Sequence, residues 1–137
     1  MQFTQDELEE MLENPKALNL AGADLSKADL SGADLSGASL NAARLRYADL
    51  SKAALIDADL SEANLHGATL PEADLSDANL RGTDLSGTKL NNACLHYADL
   101  LGANLQGADL SGARYNKGTK WPIGFDPLAA GAVLEES

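Results

Sequence analysis

The chain has 137 residues, 45% hydrophobic but only 4% aromatic, and a formal net charge of −11. That length suits one domain. The charge argues against direct binding to nucleic acid or to an anionic membrane, and a single cysteine, Cys94, excludes an intrachain disulfide. No apolar stretch approaches the roughly 20 residues of a membrane span. The start, Met1-Gln2-Phe3-Thr4-Gln5-Asp6-Glu7, is acidic and lacks the apolar run of a signal peptide, so a cytoplasmic protein is expected.

Residues 4–13 are predicted to form a helix. Thr4 and Glu7 have the spacing of a capping box, and Phe3 with Leu8 that of a hydrophobic staple. Leu8, Met11 and Leu12 share one face, and Asn14-Pro15 ends the helix. Its acids, Asp6, Glu7, Glu9, Glu10 and Glu13, suit an acidic docking helix or a lid over the repeats that follow; the lid is the reading taken here, because the end of a repeat array exposes apolar core and unpaired edges.

From Leu20 to Leu110 a leucine falls at every fifth position, and Tyr115 takes the next slot, which makes (115 − 20)/5 + 1 = 20 units in one register. A helical face needs spacings of three and four, and a strand needs two. A period of five fits short extended pieces joined by bends. In Ala33-Asp34-Leu35-Ser36-Gly37 the alanine and leucine, two apart, point the same way and the aspartate points out. Ser36-Gly37 is a turn pair. Each unit is thus one short side and one corner. A repeated corner closes a coil, and stacked coils pair their backbones at about 4.8 Å. The spacing leaves the number of sides per coil open.

Ala-(Asp/Asn)-Leu-x-x in tandem resembles the pentapeptide repeat proteins. The resemblance implies an all-β fold, a right-handed parallel β-helix of square cross-section with four pentapeptides per coil. Twenty units would make about five coils, a rod roughly 24 Å long. The expected division is an N-terminal capping helix over 1–17, the β-helix over 18–117, and a C-terminal cap and tail over 118–137. Under four-unit stacking, positions twenty apart lie over one another. One interior column is then Leu20, Leu40, Leu60, Leu80 and Leu100; another runs from Leu35 to Tyr115, and Tyr115 implies that the last coil widens or opens. Thr83 and Thr88 replace the interior alanine, and their hydroxyls should bond to nearby backbone.

Outside, the same stacking sets Arg44 over Asp24 as an exposed ion pair and leaves Asp29 over Asp49 as the main like-charge contact. Some proteins of the family imitate duplex DNA and inhibit topoisomerases. A mimic needs a long, continuous acidic surface, because DNA carries a phosphate per about 1.7 Å. Residues 20–117 hold 13 acids and 8 bases, net −5, and the rod would span less than one duplex turn of roughly 34 Å.

Chemistry-bearing constellations are sparse. Cys94 and His96 are two apart with Asp74 one coil away, and His66 falls on another face; a metal needs three or four converging ligands, so this set is read as ordinary surface, with Cys94 partly exposed and oxidisable. No nucleophile elbow, P-loop or dinucleotide fingerprint is present. No catalytic, cofactor-binding or metal-binding residue is assigned, and a tube filled by leucine has no pocket. Tyr47 and Tyr97 sit at the glycine-rich corner position, on what the spacing suggests are adjacent corners; Ile56 and Leu101 are apolar where polar residues are usual. Arg46, Tyr47 and Ile56 could share a contact face, although scattered exposed residues need no such explanation.

After Tyr115 the composition changes. Asn116 to Lys120 is predicted as a loop, and Asp126-Pro127 as the start of a short helix that Gly131 ends. Trp121, Ile123, Phe125 and Leu128 are expected to fold over the last coil, the alternative being a homodimer contact through Trp121 and Phe125. Leu134 to Ser137 should fray. The reading that results is a monomeric, non-catalytic structural or interaction module. Its rigid flat faces would meet another protein; the alternative is a DNA-mimicking inhibitor of a topoisomerase such as gyrase.

Overall fold

The computed structural model describes residues 2–13 and 18–136. Its organising feature is a backbone ladder with a step of twenty. From Leu20 to Leu95 each repeat leucine donates its N–H to the carbonyl nineteen residues on, as from Leu45 to Asn64 (2.7 Å) and Leu60 to Asn79 (2.8 Å). The residue before the leucine donates in the other direction, as from Asn64 to the Ala43 carbonyl (3.0 Å). Parallel bridges therefore link Asn19 to Ser39, Asp24 to Arg44, and so on to Cys94 and Arg114. A step of twenty means that one circuit of the chain takes four pentapeptides.

The corners follow from local hydrogen bonding. Ala48 N–H returns to the Leu45 carbonyl (3.1 Å), closing a four-residue turn over Arg46 and Tyr47. The third residue of this turn has positive φ, +59° at Tyr47 and +70° at Gly67, the signature of a type II turn and the reason glycine recurs at that slot. The middle residue of each side supports the corner. Its Asp or Asn side chain accepts from the N–H two residues on, as at Asp24–Ser26 and Asp84–Ser86. Among the acids between 20 and 117, only Asp57, Glu62, Glu72 and Asp77 stand outside this pattern.

Leucine and alanine fill the channel: Leu45, Leu65 and Leu85 are fully buried, as the period of five requires. Thr83 and Thr88 are buried as well, and their hydroxyls donate to the Leu60 and Leu85 carbonyls at 2.7 Å, as expected.

At the first circuit, α1 (Gln5–Leu12) has the predicted capping box between Thr4 and Glu7 and buries Leu8 against the core, with Phe3, Met11 and Leu12 packed beside it. Asn14-Pro15 lies outside the described residues. Two contacts extend the ladder at this end. Gln2 bridges to Asp24. The Gln5 carboxamide donates to the Asp29 carbonyl (2.8 Å) and accepts from its N–H (3.2 Å), standing in for a peptide group.

At the other end the step changes beyond Tyr115: Asp99 pairs with Lys120, twenty-one residues on, and β1 (Arg114–Tyr115) pairs in parallel with β2 (Val133–Leu134), nineteen on. Trp121 meets Tyr115 edge-on at 5.4 Å and stacks on Phe125 at 5.2 Å, and both Trp121 and Phe125 pack half-buried against the core. Ile123 and Leu128 do not join them; both are exposed. Residues 127–131 form hydrogen-bonded turns, not a helix, with Gly131 at φ +91°. Leu134 and Glu135 are also not frayed: the Glu135 N–H donates to the Tyr115 carbonyl (2.7 Å), continuing the ladder. No helix among the described residues is long and apolar enough to cross a membrane.

A central leucine is the most direct probe of this core. Leu60→Ala should cost about 2–5 kcal/mol in urea denaturation, because the neighbouring sides are held by the ladder and cannot collapse into the cavity.

Candidate functional site

With the interior filled, chemistry can occur only outside. The corner built from Ser26-Lys27, Arg46-Tyr47, His66-Gly67, Ser86-Gly87 and Gln106-Gly107 is one stack, because each pair lies twenty residues from the next. It carries no acid. Tyr47 is 53% exposed yet ordered by its neighbours. Its ring lies along the rod over Gly67, where an added Cβ would overlap it. It meets the His66 ring edge-on at 5.5 Å, and the Arg46 guanidinium carbon stands 5.8 Å from its centroid.

A hydrogen-bond chain continues from there. Ser86 Oγ donates to Asp84 Oδ1 at 2.5 Å, so its oxygen must accept from His66 Nδ1 at 2.8 Å. The proton is therefore on Nδ1, and Nε2 makes no hydrogen bond among the described residues. The Ser86 hydroxyl, then its N–H, with His66 and Arg46 nearby, hold the Asp84 carboxyl below the usual carboxylate range despite partial desolvation. The Ser51 hydroxyl and N–H do the same at Asp49.

The other candidate residues are dispersed. Ile56 is on the diagonally opposite corner from Arg46 and Tyr47, in the stack of Asp57, Asp77 and Tyr97, so the three cannot share a face. Tyr47 and Tyr97 are likewise on opposite corners, not adjacent ones: they are fifty residues apart, which is two circuits and a half. Tyr97 lies over Gly118, beside a hollow of about 460 Å³ that Asn116, Lys117 and Glu136 help to line. Cys94 is buried, not partly exposed, with Sγ 3.3 Å from Ser76 Oγ. His96 turns to the tail instead, where Nε2 lies 2.7 Å from Glu135 Oε1. Among the described residues no group of three or more His, Cys, Asp and Glu is placed to hold a metal ion. Asp24 and Arg44 are bridged through their backbones but form no ion pair within 4 Å; the pairs among the described residues are Lys52–Glu72, Arg81–Asp99 and His96–Glu135. The Asp24 carboxylate instead accepts the Ser26 N–H.

The Pentapeptide repeats family profile matches residues 19–55, 58–96 and 83–114 in eight copies. The chain belongs to this family. It is 36% identical to the pentapeptide repeat protein Rfr23 from the cyanobacterium Cyanothece 51142, over 77% of this chain and 61% of that one, with a TM-score of 0.55. It therefore spans less than two thirds of Rfr23. It is 38% identical to alr5209, a pentapeptide repeat protein from Nostoc Pcc 7120, over 98% of both chains, with a TM-score of 0.34. QnrB1, a plasmid-mediated fluoroquinolone resistance protein, is 17% identical over 85% of this chain and 67% of its own, with a TM-score of 0.51, a likeness of fold alone. No curated protein sequence matches the chain. The family match, with the likeness to Rfr23 and QnrB1, makes the fold a right-handed β-helix of the pentapeptide repeat type.

The lowered carboxyls give the stability a pH dependence. Above the usual carboxylate range Asp49 and Asp84 are ionised in the folded and unfolded chain, and their stabilisation is complete. As pH falls through that range the unfolded chain protonates first, and the stabilisation is lost toward the lower folded-state values. Ser51→Ala combined with Ser86→Ala should flatten this acid limb in denaturation curves taken from neutral pH down to about pH 3.

Proposed function

We propose that the protein is a non-catalytic structural or protein-interaction module that presents rigid, flat β-helix faces to another protein. In this reading about five four-sided coils form the rod over 18–117, the helical segment over 1–17 caps its start and the tail over 118–137 caps its end. It acts as a cytoplasmic monomer without a cofactor. The observation that carries the reading is the unbroken run of bridges from Asn19 to Arg114 around a channel filled by leucine and alanine. Such a body has no interior for a substrate and little freedom to close over one, but it holds outward side chains at fixed spacing, which lowers the entropy cost of docking.

The DNA-mimic alternative rests on acidity, and most of the rod's acids already have a structural task at the corners. Their positions follow the repeat and are interrupted by Arg44, Arg46, Lys89 and Arg114, whereas a mimic needs a continuous charged strip. The resistance function in the name of QnrB1 belongs to that protein, and the shared fold at 17% identity does not transfer it.

Pull-down from the native host with the intact rod, beside one charge-reversal variant per face, tests the module reading. A partner lost with one face variant and kept with the others is expected; identical captures from every variant would contradict the reading. A gyrase supercoiling assay separates the alternative, which requires inhibition at micromolar protein where the module reading expects none.

A further inference from the structure

The tail closes only part of the last circuit. Lys120 pairs with Asp99 on one side, and Val133 with Arg114 on another. The two sides between them, Ala103–Leu105 and Ala108–Leu110, carry no further rung: among the described residues Asn104 and Asp109 bridge to the circuit before and to nothing beyond. One circuit earlier the pairing is complete. There the Thr83 carbonyl accepts the Asn104 N–H (2.9 Å), and the Leu85 N–H donates to the Asn104 carbonyl (2.8 Å). The equivalent groups of the last circuit, the Ala103 carbonyl and the Leu105 N–H, make no hydrogen bond among the described residues. An acceptor and a donor left open in this way form a free strand edge.

The first of these edges borders a hollow of about 340 Å³, which Asn104, Leu105, Pro122, Ile123 and Phe125 help to line. Ile123 is fully exposed there, and Phe125 is half-buried. Leu105 is 8% exposed, whereas Leu65 and Leu85 in the same column are at 0%. The hollow therefore lies where the next rung of that column would run, with an apolar wall supplied by the tail.

We propose that this edge is a docking slot for one extended segment of a partner protein, which adds a parallel rung to the column of Asp24, Arg44, Asn64, Asp84 and Asn104. The proposal rests on the interaction-module reading and adds to it where a partner binds and what chemistry the site selects. The middle residue of the segment donates its N–H to the Ala103 carbonyl and accepts the Leu105 N–H, as Asn104 does with Thr83 and Leu85. Its side chain faces out. The residues before and after it face the end of the channel, so a small one fits over Ala103 and a larger apolar one over Leu105, beside Ile123 and Phe125. Small–polar–apolar is the order of this chain's own units. A second copy does not fill the slot with its first circuit: α1, a cylinder about 10 Å across, packs over that core and holds a facing rod beyond the roughly 4.8 Å of one ladder step.

The test uses the full chain and a capped peptide, Ser-Gly-Ala-Asn-Leu-Ser-Gly, with the same peptide N-methylated at its asparagine as the control. The unmodified peptide should bind saturably and shift the backbone amides of 104–106 and 123–125. N-methylation removes the donor to the Ala103 carbonyl and should weaken binding about tenfold. Ile123→Glu sets a charge on the apolar wall and should also weaken it about tenfold. Because Ile123 is fully exposed, the melting temperature of this variant should not change, which separates lost docking from lost folding. The proposal is overturned by no saturable binding, by shifts centred on another part of the rod, by equal affinity of the methylated peptide, or by full affinity in Ile123→Glu. Sedimentation showing the free chain already joined to a second copy through this edge would overturn it as well. If the edge fails here but a host partner is captured through one of the faces, the module reading stands; if neither binds, both fall.

Discussion

A hydrogen bond from each repeat leucine, Leu20 to Leu95, to a carbonyl nineteen residues on decides nearly everything else in this molecule. It is a long-range contact with a fixed step, so a unit of four or six residues anywhere would shift every later leucine off the channel. The constraint is local in each corner and global in the stack. The type II turn sets the bend, the ladder sets the rise, and the leucine–alanine pair fills what they enclose. None of the three would hold alone, since a side this short is no stable strand and a two-residue corner has no core.

The same arrangement explains the charge. Asp and Asn recur at the middle of each side because their Oδ1 accepts a corner N–H that would otherwise face solvent unpaired. Acidity in the rod is therefore largely a consequence of making corners, and its functional meaning is correspondingly small. What carries information about partners is the departure from the repeat: a tyrosine where glycine is easiest and a histidine where serine is usual. Tyr47 and His66 both sit at a corner, where the side chain leaves the rod and the fold demands least of it.

The register of five, the inward leucines, the threonine hydroxyls and the capping box at Thr4 were legible in the sequence because each is a short-range rule repeated or locally closed. The ends were harder. Ile123 and Leu128 read as core by composition, yet they are exposed while Trp121, Phe125 and Ala130 pack against the core. Glu135 looked like a frayed end until its N–H was seen on the Tyr115 carbonyl. Gln5, whose side chain replaces a peptide group for Asp29, has no local signature, since only the fold brings residues twenty-four apart together. The Tyr47 corner is half legible: circuits of twenty take Ile56 off it and put His66 on it, apart from His96, whereas the His66–Ser86 bond has no signature in the sequence.

The most direct measurement of the ladder is the scalar coupling across its hydrogen bonds, read by NMR on uniformly labelled protein. The account predicts coupling from the Leu45 amide nitrogen to the Asn64 carbonyl carbon, and the same from Leu65 to Asp84. Couplings to carbonyls four residues earlier, or none from these leucines to the residue nineteen on, would contradict it.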